Sequence, residues 1–153
     1  MRRRSDFWLA AGLGLGFLGS PAASSAHEIF AKDLEIRHPF TRESAETLAS
    51  KVAVYMVIRN TGAQADRLIA VRSPFARLGE LVRNDPSNPT GDGIDLPPHS
   101  ETTVGPNATY VLFRDMTEPL VGYQYFPATL VFEKAGAVEI EIYVEDLSET
   151  QSP

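Results

Sequence analysis

The sequence predicts an all-β domain, an antiparallel sandwich or barrel, and three observations carry that prediction. Apolar and polar residues alternate with a period of two through most of the chain from residue 51 onward, the spacing that turns one face of a strand to a core and the other to water. Turn-forming clusters recur between the alternating segments: Asn60-Thr61-Gly62, Asn84 through Gly93, Pro97-Pro98, Gly105-Pro106-Asn107 and Lys134-Ala135-Gly136. Only TRESAETLAS, residues 41–50, reads as helical, and it is short. About seven strands with so little helix leave sandwich and barrel as the architectures that bury the apolar faces.

Taken in order, the chain opens with a leader. Residues 2–4 are arginines, residues 7–19 (FWLAAGLGLGFLG) are apolar and uncharged, and PAASSA follows with small residues where a signal peptidase needs them. The apolar run is shorter than the roughly 20 residues that span a bilayer. The expectation is therefore a secretory signal over residues 1–26, a domain over residues 27–146, a polar tail over residues 147–153, and a periplasmic protein with no membrane anchor after cleavage. Paired arginines also permit twin-arginine export, although Phe7 stands one place late for the usual pattern.

DLEIRH (33–38) is the first strand candidate, followed after the helical segment by KVAVYMVIRN (51–60), in which Val52, Val54, Met56 and Ile58 share one face. DRLIAVRS (66–73), ETTV (101–104), TYVLFR (109–114) and ATLVFE (128–133) come next. In AVEIEIYVED, Val138, Ile140, Ile142 and Val144 are expected inward and Glu139, Glu141 and Glu145 outward. No internal repeat is evident.

Composition removes several functions. Cleavage after Ala26 takes Lys+Arg from 14 to 11 and Asp+Glu from 20 to 19, so the net charge moves from -6 to -8. An acidic chain without a basic run has no electrostatic footprint for nucleic acid or anionic lipid. The chain has no cysteine, which excludes thiolate nucleophiles, cysteine-type zinc sites and disulfide staples. There is no G-x-S-x-G, glycine-rich phosphate loop or H-E-x-x-H, so no enzyme is expected. Glu139 and Glu141 read as solvated charge on an outer strand face.

Four segments taken together resemble the periplasmic copper chaperones called PCu(A)C: HEIFAKDLEIRHPF, VYMVIRNTGAQADRLIAVRSP, IDLPPHSETTVGP and ATLVFEKAGAVEIEIYV. The IRNTG-x-x-ADRL segment and the LVFEKAG-x-VEIE hairpin, in that order, are the specific part. The resemblance implies a cupredoxin-like β-sandwich, a periplasmic location, and copper handling or delivery toward cytochrome c oxidase. Its implied partners are copper-acceptor or assembly proteins of the periplasm.

The resemblance also implies a copper site made by a His before a loop, a Met in the loop and a later His-x-Met strand. Val82 occupies the first of these positions, the loop RNDPSNPTGDG has no Met, and the later strand offers Tyr110, Leu112 and Arg114. Cu(I) selects thioether and imidazole ligands, so this set does not reproduce the family site.

Other candidates remain. After cleavage the α-amine and imidazole of His27 would form a chelate suited to Cu(II). Met116 is a candidate thioether ligand on the face predicted for Tyr110, Leu112 and Arg114. His38 and His99 are expected to be a structural and a solvated histidine, and Met56 a core residue. Asp85, Ser87, Asn88, Asp92 and Asp95 offer hard oxygens for calcium, but the same residues are those of an ordinary polar hairpin loop. Two functions compete: copper handling through His27 or a rebuilt site, and a periplasmic adaptor whose former metal face, with Tyr110, Leu112, Arg114 and nearby Phe113, contacts a protein.

Overall fold

The computed structural model describes residues 28–42, 51–89, 91–120 and 125–145. The expected signal, His27, most of the predicted helix and the tail lie outside the described residues. Among the described residues there are ten strands: β1 (Glu28–Ala31), β2 (Leu34–Thr41), β3 (Lys51–Asn60), β4 (Asp66–Arg72), β5 (Ala76–Arg83), β6 (Ile94–Leu96), β7 (Ser100–Val104), β8 (Thr109–Met116), β9 (Tyr125–Phe132) and β10 (Gly136–Val144). Thr41, the first residue of the predicted helical segment, is instead the last residue of β2. No helix among the described residues is long and apolar enough to cross a membrane.

Alternation builds the core as expected. Val52, Val54, Met56 and Ile58 are almost completely buried, as are Ile140 and Ile142, with Phe113, Phe126 and Phe132 filling the largest volumes. Removing so much apolar surface from water, at about 25 cal/mol per Å2, is the main favourable term for a chain without disulfides. The strand order is β5-β8-β3-β2-β10-β9-β4-β6, with β1 added to β2 and β7 to β3. Every pairing is antiparallel except a short parallel contact that sets Tyr143 and Val144 of β10 beside Phe40 and Thr41 of β2.

The sheet rolls toward a barrel because β4 returns against β5. Gly79 permits the approach: a Cβ there would stand 2.2 Å from the carbonyl oxygen of Val71. The free edge of β5 is then sealed by its own loop, with the amides of Arg83 and Gly91 donating to the carbonyls of Pro89 and Leu81.

The two segments that carry the sequence resemblance are joined in space. Asp66, at the start of β4, accepts hydrogen bonds from the Lys134 and Ala135 amides in the β9–β10 turn at 2.8 and 3.0 Å. Asn60 is buried and donates to the carbonyls of Gln64 and Leu96 while accepting from the Gly62 amide. These residues are architectural, because they satisfy turn backbone that is in part withdrawn from water.

Candidate functional site

β8 holds the residues singled out from the sequence between two neighbours. Tyr110 lies opposite Val82 of β5, Leu112 opposite Glu80, and Arg114 opposite Leu78. On the other side, Leu112 faces Ala53 and Arg114 faces Lys51 of β3. The fold therefore gathers Val82, Tyr110, Leu112 and Arg114 on one patch. Val82, Tyr110 and Arg114 are half-buried, whereas Leu112 is buried, and with Val111 and Phe113 also buried both faces of β8 are covered there.

This patch cannot coordinate copper in the way the resemblance implies. Valine and leucine have no donor atom, and a neutral phenol is a poor match for Cu(I). The Arg114 guanidinium is ion-paired with the Glu80 carboxylate. That counter-ion was not expected from the sequence; its only signal was its position on β5, a strand whose single buried side chain hides the alternation.

Met116 is placed apart from the patch. Asp115 has a positive φ of 53°, uncommon for a residue with a Cβ, and Met116 joins Val111 and Phe113 in the core. The thioether is thus surrounded by apolar side chains, and could meet an ion only if the end of β8 opened.

Around Tyr110 the structure supplies a feature that no local pattern announces. Rings of His38, Phe40, Tyr55 and Tyr110 follow one another across β2, β3 and β8, with centroid separations of 4.9, 5.7 and 6.4 Å. Such spacings are those of interacting aromatic pairs. The Arg42 guanidinium lies 5.2 Å from the Phe40 ring centre. Part of this run borders a groove of about 230 Å3 that also touches Val57, Gly105 and Pro106.

The run exists because β2 is bulged. Its register with β3 shifts between Arg37 and Phe40, and His38 takes a φ of 48°, so Leu34, Ile36, Pro39 and Thr41 are buried while His38 stays outside. Bulges re-aim side chains in this manner. His38 Nε2 lies 3.9 Å from the Glu145 carboxylate, which also pairs with Arg42 at 3.1 Å.

The remaining candidates are dispersed. His99 is exposed, with its amide donating to the Gly62 carbonyl at 3.2 Å. Asp85 accepts from the Ser87 hydroxyl and amide at 2.6 and 2.9 Å, and these bonds hold its carboxyl below the ordinary carboxylate range. Asp95 pairs with Arg67. Glu139 and Glu141 are exposed on the outer face of β10. Among the described residues, no three His, Asp or Glu side chains are grouped to hold a metal ion.

Residues 34–144 match the LpqE-like lipoprotein family. No curated protein matches the chain. Among solved structures, the copper-bound PCuAC domain from PmoF2 is 33% identical, over 78% of this chain and 97% of that one, with a TM-score of 0.69. The apo PCuAC domain from PmoF1 is 28% identical, over 78% and 98%, at the same TM-score. A Cu(I) form of DR1885 from Deinococcus radiodurans shares the fold at 15% identity, over 80% and 83%, with a TM-score of 0.59. The family match from β2 through β10 and the identity with PmoF2 place the chain, by sequence and fold alike, in the LpqE-like family of PCu(A)C domains.

Proposed function

We propose that this protein handles copper in the periplasm, toward cytochrome c oxidase or a related copper centre, and takes the ion at its processed N-terminus and not at the inherited position. The observation that carries the reading is the 33% identity with a copper-bound PCuAC domain over nearly all of that domain. Against it stands a patch of Val82, Tyr110, Leu112 and Arg114 with no suitable ligand set. A chain beginning at His27 would present an amine and an imidazole from one residue, a chelate suited to Cu(II). His27 immediately precedes Glu28, where β1 begins. Copper is cargo on this reading, and the recipients would be acceptor or assembly proteins of the same compartment.

Copper titration tests the proposal, with Cu(II) and with Cu(I) under a competing chelator, on protein processed to start at His27. A form with one extra residue before His27 and a His27→Ala form serve as controls. Tight binding by the native terminus alone is the expected result. Equal affinity in all three forms would place the ion elsewhere, and negligible binding by all would remove copper from the account.

The aromatic run favours a second reading, in which the chain is an adaptor and the face around Phe40, Tyr55, Tyr110 and Val82 contacts a protein. Aromatic side chains anchor interfaces because they bury large areas with few rotatable bonds, and arginine because its planar guanidinium donates several hydrogen bonds and stacks on rings. Tyr110→Ala would then abolish partner capture with folding intact, and unchanged capture would reject this reading.

A further inference from the structure

β1 and β10 leave a gap in the sheet. β1 pairs with β2 along one edge. β10 pairs with β9 along one edge from Gly136 to Tyr143, and on the other edge meets β2 only at Tyr143 and Val144. The second edge of β1, and that of β10 from Gly136 to Ile142, have no strand partner among the described residues. Both border one cleft of about 440 Å3, lined by Glu28 and Ile29 from β1 and by Glu139, Ile140 and Glu141 from β10, which extends past Pro74 and onto residues 127–129 of β9.

Strand edges of this kind present backbone donors and acceptors that another extended segment can satisfy. The side chains say which segment. Glu139 and Glu141 are exposed and two residues apart on one face, a separation of about 6.7 Å that a second strand repeats in its own alternate side chains. Ile29 of β1 is partly buried and supplies apolar surface at the cleft, whereas the Ile140 side chain turns into the core. No Lys or Arg is among the lining residues. Arg37 opposes Glu28, but its guanidinium is engaged by Glu35 and Glu101. Arg72 opposes Thr129 from the far side of β9 and leaves the three carboxylates in the majority.

We infer that this cleft receives an extended peptide with basic residues at alternate positions, from a protein partner, as an added strand between β1 and β10. A second copy of the chain is a poor occupant, because each copy carries a net charge of -6, or -8 without residues 1–26, and like charges would meet at the cleft. The inference does not depend on copper.

The test titrates the exported protein with a capped peptide of alternating lysine and valine, followed by amide chemical shifts and hydrogen exchange. Two comparisons accompany it: a Glu139→Lys, Glu141→Lys double variant, and the same peptide N-methylated at its valines, which keeps charge but removes backbone donors. Shifts and slowed exchange confined to β1 and β10 are expected. Both comparisons should weaken binding about tenfold or more, since each removes one of the two sources of recognition. Undiminished affinity for the N-methylated peptide would reduce the contact to diffuse charge attraction and overturn the added strand. So would an unaffected double variant, shifts elsewhere on the sheet, or no binding by the unmodified peptide.

Discussion

Replacing Asp66 by alanine tests the role assigned to the most specific part of the sequence resemblance. Its Oδ1 accepts from the Lys134 amide at 2.8 Å and from the Arg67 amide at 2.8 Å, and its Oδ2 accepts from the Ala135 amide at 3.0 Å. A hydrogen bond to a charged group contributes about 1.5–3 kcal/mol, and an uncharged one about 1. Lys134 is exposed, so water replaces much of its bond, whereas the Arg67 and Ala135 contacts are part-buried. With the Arg67 and Ala135 bonds each taken at the lower figure and the Lys134 bond discounted, Asp66→Ala should cost about 3 kcal/mol. Asp66→Asn keeps one acceptor oxygen but turns an amide donor toward a backbone N–H, so it should fall between wild type and alanine. Urea unfolding with an unchanged slope gives the difference directly. Hydrogen exchange at Lys134 and Ala135 should accelerate in step. A loss below about 0.5 kcal/mol, within the range of ordinary surface changes, would show that the turn holds itself and refute the reasoning.

Three other outcomes follow from the same structure. Gly79→Ala drives a Cβ into the Val71 backbone and should destabilise by roughly 3 kcal/mol with loosened β4–β5 amides; exchange unchanged at Val71 would contradict the closure described. Thr41 is buried and its hydroxyl donates to the Ala53 carbonyl at 2.7 Å, so Thr41→Val should lower stability by about 1–2 kcal/mol in denaturant unfolding, leaving that carbonyl unsatisfied. Asp85 titrates below its ordinary value of 3.8 because of the Ser87 side-chain and backbone hydrogen bonds. A depressed folded-state value means that its contribution is present above the unfolded value and is lost as pH falls through the folded one. Ser87→Ala should therefore raise the Asp85 midpoint in a carboxyl NMR titration, and an unmoved midpoint would reject the cause.

Much of the fold was legible because alternation is a local property. Val52 through Ile58 on β3 and Ile140 through Val144 on β10 took the predicted faces, since a period of two leaves a chain only one way to bury its apolar set. The strands missed were those without that signal. β1 has no fully buried side chain, β5 has only Leu81, and β6 is three residues long; each exists because a neighbouring edge offers backbone partners.

The sequence by itself determined the all-β class, the inward faces, the family and the absence of copper ligands at Val82, Tyr110, Leu112 and Arg114, because each depends on residue type and spacing alone. Only the tertiary structure decided that Glu80 neutralises Arg114, that Asp115 sends Met116 into the core, and that a bulge at His38 sets four rings in line. It also decided that β1 and β10 border a shared cleft. These features rest on positive φ values at residues with a Cβ and on pairings between distant segments. Neither is written in local alternation, because the energy that selects them comes from packing partners far away along the chain.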